Sequence, residues 1–106
     1  PHHSHRANEE LLVVLSGRGE LRYGIARHAV KEGDLIGCPT GGPETAHQLI
    51  NSGSEPLRYL AISTMIDPDI CEYPDSGKVG AYAGDGEDEF VHLSNYKSAI
   101  DYWEGE

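Results

Sequence analysis

The sequence predicts a small all-β domain, either a barrel or a sandwich. Two observations carry this. Short apolar segments rich in Val, Leu and Ile recur along the first two thirds of the chain. Clusters of Gly, Pro, Asn, Asp and Ser separate them at close spacing, the pattern of short strands joined by turns. A chain of 106 residues has room for one hydrophobic core and not for two.

The strands are expected in this order. Residues 9–16 form an apolar strand ended by Gly17 and Gly19, and residues 20–24 resume it, so the pair reads as a hairpin. Residues 27–30 follow, then a turn at Lys31-Glu32-Gly33-Asp34. Residues 35–38 are a short strand stopped by Pro39, and residues 40–45 are a loop. Residues 46–51 and 57–64 are two further strands around a turn at 52–56. The barrel is thus assigned to residues 1–66, with residues 67–106 as an irregular C-terminal extension packed on it or on a partner. Within the extension, 67–78 is read as extended and 84–89 as an acidic loop. Residues 94–103 are read as a short helix capped by Ser94 or Asn95, with Tyr102 and Trp103 as anchors.

Composition narrows the function. The formal net charge of −10 opposes binding to nucleic acid, which needs a positive surface, and to an anionic membrane. The longest apolar run, Leu11–Leu15, is far too short to span a bilayer. Cys38 and Cys71 form no CxxC pair, so reduced thiols are expected rather than a disulfide framework or a thiolate zinc knot. No signal peptide is visible, and a cytoplasmic location follows by default. A chain this short buries only part of its surface, and the two apolar strands 11–15 and 57–64 have faces to cover, so a homodimer is expected.

The residues most suited to chemistry are His3, His5, Glu10 and His47. On a strand, His3 and His5 project from the same face, side by side. Glu10 follows after a stretch long enough for a tight turn, and His47 opens a later strand. Imidazoles with a carboxylate suit a divalent metal ion such as iron, manganese, zinc, nickel or copper. Glu9 has nearly the same spacing but reads as a solvated side chain. His2 should point away from His3 and lie exposed, and His28 and His92 read as surface residues.

The spacing His3-x-His5, four residues, Glu10, six residues, Gly17 resembles the first motif of the cupin superfamily. Gly33, five residues, Pro39-x-Gly41, a loop, His47, three residues, Asn51 resembles the second. The C-terminal part is similar, more loosely, to a subgroup of stand-alone bacterial cupins. The resemblance implies a double-stranded β-helix, a jelly-roll barrel with a metal in its mouth, held by His3, His5, Glu10 and His47. Gly17, Gly33 and Gly41 are assigned to turns needing positive φ, Pro39 to ending a strand, and Asn51 to tying down a turn. Two departures stand out. The loop between Gly41 and His47 is five residues long, longer than the motif's, and the chain begins almost at the first ligand, so missing N-terminal strands are expected. Asp75, Ser76 and Lys78 form either a polar patch or, preferably, a turn.

The resulting expectation is a metal-binding protein for a small molecule. It is either an enzyme acting on a sugar, phenolic acid or keto acid, or a binding module that senses one without turnover. A storage-like role is disfavoured by the short chain.

Overall fold

The structure, a computed structural model, describes residues 1–106 and contains ten strands and no α-helix. In chain order they are β1 (Ser4–His5), β2 (Glu10–Ser16), β3 (Arg18–Tyr23), β4 (Ala26–Lys31), β5 (Leu35–Cys38), β6 (His47–Asn51), β7 (Arg58–Ser63), β8 (Asp69–Tyr73), β9 (Lys78–Ala83) and β10 (Phe90–Asn95). Short 3-10 turns lie at Pro43–Thr45, Gly86–Asp88 and Tyr96–Ser98. Every strand pair is antiparallel.

The core lies between two three-stranded sheets, ordered β5-β2-β7 and β4-β3-β6. Period-two alternation explains it. Leu12 and Val14 of β2, Leu21 of β3, Val30 of β4, and Ile36 and Cys38 of β5 point inward and are buried. Tyr23, Leu49 and Leu57 pack against them. The residues between, Leu11 and Leu15 of β2, Leu35 of β5, and Leu60 and Ile62 of β7, face outward and are exposed.

The expected hairpin of residues 9–16 with 20–24 does not form. β2 pairs with β5 and β7, while β3 pairs with β4 and β6. Gly17 is the reason. It adopts φ 88° and carries the chain around a corner from one sheet to the facing one. A Cβ there would sit 2.4 Å from the Pro56 carbonyl oxygen, so only glycine fits. Gly33 also has φ 88°, as expected, but Gly41 does not have positive φ. Gly41 donates its N–H to the His5 carbonyl instead, which docks the long loop onto β1. Asn51 ties down the turn at 52–55, accepting from Gly53 N and donating to Glu55 O.

Two expectations for the C-terminal part are corrected. It is not irregular, because β8, β9 and β10 form a sheet with β1 in the order β1-β8-β9-β10. The helix over 94–103 is absent too. Its first residues complete β10, and a 3-10 turn follows in which Asn95 accepts the Lys97 N–H. The Asn cap signal was real, but strand pairing of Ser94 with Val79 and Asn95 with Lys78 outweighed helix formation. Tyr102 and Trp103 stay exposed and pack edge-to-face on each other, not on the barrel. The radius of gyration is 16.0 Å, against about 13 Å for a compact chain of this length, because this third sheet extends the molecule beyond the barrel.

β1 joins everything. His3 pairs with His47 through two backbone hydrogen bonds of 3.1 and 2.8 Å, extending the β4-β3-β6 sheet. On its other side β1 pairs with β8, Ser4 opposite Glu72 and His5 opposite Cys71. Arg6 and Tyr96 then clamp the buried Glu72 carboxylate, Arg6 at 2.9 Å.

Candidate metal centre

Strand ends bring the four expected side chains to one mouth of the barrel. His3 and His5 come from β1 and the residue before it. Glu10 is the first residue of β2, and His47 the first of β6. All three imidazoles turn Nε2 toward a single atom, Glu10 Oε1. The separations are 2.7 Å for His5, 3.2 Å for His47 and 3.6 Å for His3. The donor atoms of His3, His5 and Glu10 lie within 4.8 Å of one another. His47 meets this group through Glu10, and its ring lies 4.7 Å from that of His3. Glu9 is exposed and takes no part, and His28 and His92 are exposed, as expected.

The other ring nitrogen of each histidine faces an acceptor. His5 Nδ1 donates to Asp69 Oδ2 at 2.7 Å, His3 Nδ1 to the Pro1 carbonyl at 3.0 Å, and His47 Nδ1 to the Thr45 carbonyl at 3.4 Å. An acceptor at Nδ1 fixes the ring angle, and loss of the Nε2 proton to a bound metal would turn the Nε2 lone pair toward the centre. Asp69 is itself held by Asn8 Nδ2 at 2.8 Å and by the Ala7 N–H at 2.9 Å. Burial works against ionising Asp69, but these hydrogen bonds and His5 outweigh it and hold its carboxyl below the usual range.

The electrostatics are strongly coupled. Contacts from His3 first, then His47 and His5, hold the Glu10 carboxyl well below the ordinary carboxylate range. Cys71, whose Sγ lies 3.2 Å from Nδ1, then Glu10 and Asp69, push the His5 imidazolium up to about 11 against the effect of burial. Cys38, opposite Glu10 in the β2–β5 ladder, is pushed up to about 11 by burial and by Glu10, and stays a thiol.

His2 departs from expectation. It is buried, donates Nε2–H to the Ala46 carbonyl at 3.0 Å, and is kept neutral chiefly by burial and by Arg22. Its face is indeed opposite to that of His3, but β6 and the loop before it cover that face. Sequence reasoning missed Asp69, Cys71 and Tyr73. They lie more than sixty residues from His5, and the visible signal was their i, i+2, i+4 alternation, which puts them on one face of a strand. The turn at Pro74–Gly77 was expected, and Asp75 there makes a paired contact with Arg22 at 2.7 and 2.8 Å.

The family model for the cupin domain matches residues 1–63, which include all four side chains. The chain is a cupin. Among curated relatives, the Uncharacterized protein MJ1618 of Methanocaldococcus jannaschii is 38% identical over 61 residues, covering 58% of this chain and 46% of that one. Two solved structures share the fold over nearly the whole cupin chain. The "Putative sugar phosphate isomerase" of Acidithiobacillus ferrooxidans superposes with a TM-score of 0.78 at 29% identity, covering 94% of this chain and 60% of the other. The sugar phosphate isomerase of Silicibacter pomeroyi, described as from a cupin superfamily, gives 0.80 at 20% identity, covering 97% and 62%. This cupin therefore spans about half to three fifths of the length of these relatives. No helix in it is long and apolar enough to cross a membrane.

The pairing of His5 and Glu10 makes the stability of the metal-free cupin depend on pH. The folded-state pKa of His5 lies above its ordinary 6.5, so its contribution is complete below pH 6.5 and is lost as pH rises toward 11. Glu10 is depressed below its ordinary 4.5, so its contribution is present above pH 4.5 and is lost on acidification. Thermal unfolding followed by circular dichroism in chelator should show greatest stability between these two values and a decline from neutral to alkaline pH. A flat profile on the alkaline side would contradict the contacts of His5 with Cys71, Glu10 and Asp69.

Proposed function

We propose that this cupin binds a divalent metal ion through His3, His5, Glu10 and His47 and acts as an enzyme on a small hydroxylated molecule, with sugar isomerisation the reading favoured among those open to the sequence. The observation that carries it is the convergence of three Nε2 atoms on Glu10 Oε1, each ring oriented by an acceptor at Nδ1. The donor set of three imidazoles and one carboxylate fits iron, manganese, zinc, nickel or copper. When bound there, the metal supplies a Lewis acid that polarises a carbonyl or hydroxyl oxygen.

The chain's own residues do the rest. Asp69 fixes the orientation of His5. Beside the histidines lies a cavity whose wall carries Tyr73 and Tyr82, their hydroxyls 2.7 Å apart. Burial, then the Tyr82 hydroxyl, push the Tyr73 hydroxyl up, so it stays protonated at neutral pH and serves as a hydrogen-bond donor. These groups beyond the metal ligands favour an enzyme over a purely sensing module. The likeness to the A. ferrooxidans "Putative sugar phosphate isomerase" supports a sugar or sugar phosphate as the substrate class.

Metal content measured by mass spectrometry checks the centre. About one equivalent is expected after loading with zinc or manganese. His47→Ala should weaken binding by about 100-fold or more, a change at the upper end of what even a supporting residue causes. The exposed His92→Ala serves as control and should bind as the parent does. Absence of metal from the parent chain removes the proposal.

The reading includes self-association with a second copy. Leu11, Leu15, Leu35, Leu60 and Ile62 form one continuous outward face of the β5-β2-β7 sheet, and all are exposed in the single chain. A contiguous apolar face of this kind calls for a cover. Light scattering should report a dimer, and Leu60→Glu should shift it to monomer. A parent that is monomeric at high concentration contradicts this part.

A further inference from the structure

β1, which carries His5 and follows directly on His3, is the shortest strand of the fold. It pairs with β8 over two residues, Ser4 opposite Glu72 and His5 opposite Cys71, and one further backbone bond runs from the Arg6 N–H to the Ile70 carbonyl at 2.9 Å. A ladder this short leaves the exact placing of its side chains to other contacts. On its front, His5 spans Glu10 and Asp69, 2.7 Å from each. A slide of β1 along β8 would break that double contact.

The back of the ladder supplies a lock. Alternation sends Ser4 and Arg6 to the face of β1 opposite His3 and His5, and Glu72 to the face of β8 opposite Asp69 and Cys71. Glu72 is only 2% exposed. Arg6 Nη2 donates to its Oε1 at 2.9 Å and lies 2.9 Å from its Oε2, and the Tyr96 hydroxyl also donates to Oε1. A buried carboxylate left without its cation is strongly disfavoured, so the guanidinium is tied to that place and β1 with it.

Arg6 also meets the long loop that leads into His47. A Cβ at Gly42 would lie 3.0 Å from Arg6 Nη2 and 2.7 Å from Glu44 Oε2, so both groups occupy the space that this glycine leaves. Glu44 accepts the Gly42 N–H at 3.0 Å, and the neighbouring Gly41 N–H donates to the His5 carbonyl at 2.9 Å. Arg6 therefore stands where three elements meet: β1 with His5, β8 with Asp69, and the loop before His47.

We propose that Arg6 and Glu72 are positioning residues for the metal centre: their ion pair, on the back of the β1–β8 ladder, holds His5 in place between Glu10 and Asp69. The inference rests on the metal reading above and adds to it two residues that touch no metal.

Cobalt(II) loading of the whole chain, followed by visible absorption, reads both the affinity and the geometry of the centre. Arg6→Gln and Glu72→Gln should each weaken cobalt binding about tenfold, as loss of a supporting contact does, and should shift the bands of the bound ion. Glu72→Gln leaves no buried charge unpaired, so it tests the pair even where Arg6→Gln fails to fold. Arg6→Lys keeps the charge without the planar fork and should restore the affinity to within about threefold of the parent. Val30→Ala, in the core on β4, should lower thermal stability and leave the affinity and bands unchanged. Parent-like affinity and bands in Glu72→Gln overturn the proposal. An equal loss in Val30→Ala does so too, as does Arg6→Lys binding no better than Arg6→Gln. In these outcomes the parent still binds cobalt and the metal centre stands. A parent that binds no cobalt overturns the centre and the proposal together.

Discussion

One carboxylate oxygen, Glu10 Oε1, organises this protein, because three imidazoles from β1, its flank and β6 turn toward it. Three donors around one acceptor are not a arrangement a surface adopts for stability alone. Exposed ion pairs contribute little, whereas this group is half-buried and each ring is oriented by a second acceptor. The backbone follows the same logic. The His3–His47 bridge closes one side of the mouth, and the pairing of β1 with β8 brings Asp69 and Cys71 behind His5. Removing β1 would take His3 and His5 from the centre and break the strand pairing that joins β8 to the barrel.

The distribution of charge fits that plan. Of the carboxylates near the mouth, Glu10 is matched by imidazoles, Asp69 by His5 and Asn8, and Glu72 by Arg6. Asp67 and Asp85 at the cavity rim have no such cationic partner. Part of the chain's acidity is therefore placed at the site. The small core has the opposite consequence. With only six apolar residues in the buried cluster, much of the apolar surface of β2, β5 and β7 remains outside it.

Much of this was legible in the sequence. The strands of residues 10–63 and the four converging side chains followed from period-two alternation, turn residues and motif spacing. What was not legible has a common cause. Strand partners depend on long-range pairing, which local pattern does not encode. Residues 9–16 and 20–24 look like a hairpin until the Gly17 corner sends them to facing sheets. Residues 94 and 95 look like a helix start until β9 claims them. His2 looks exposed because alternation assigns a face without saying what covers it. Asp69, Cys71 and Tyr73 carried the right alternation, but nothing local connected β8 to a β1 more than sixty residues earlier.

The geometry contains a rival to the central claim. His5, Asp69 and Cys71 form a second group of donor atoms within 4.8 Å, built on the opposite nitrogen of the same ring. X-ray absorption spectroscopy at the zinc edge of the loaded protein separates the two. The expected result is a shell of nitrogen and oxygen at about 2.0–2.2 Å with the outer scattering of imidazole rings and no sulfur. A sulfur shell at about 2.3 Å would place the metal on Cys71 and contradict a centre built on Glu10.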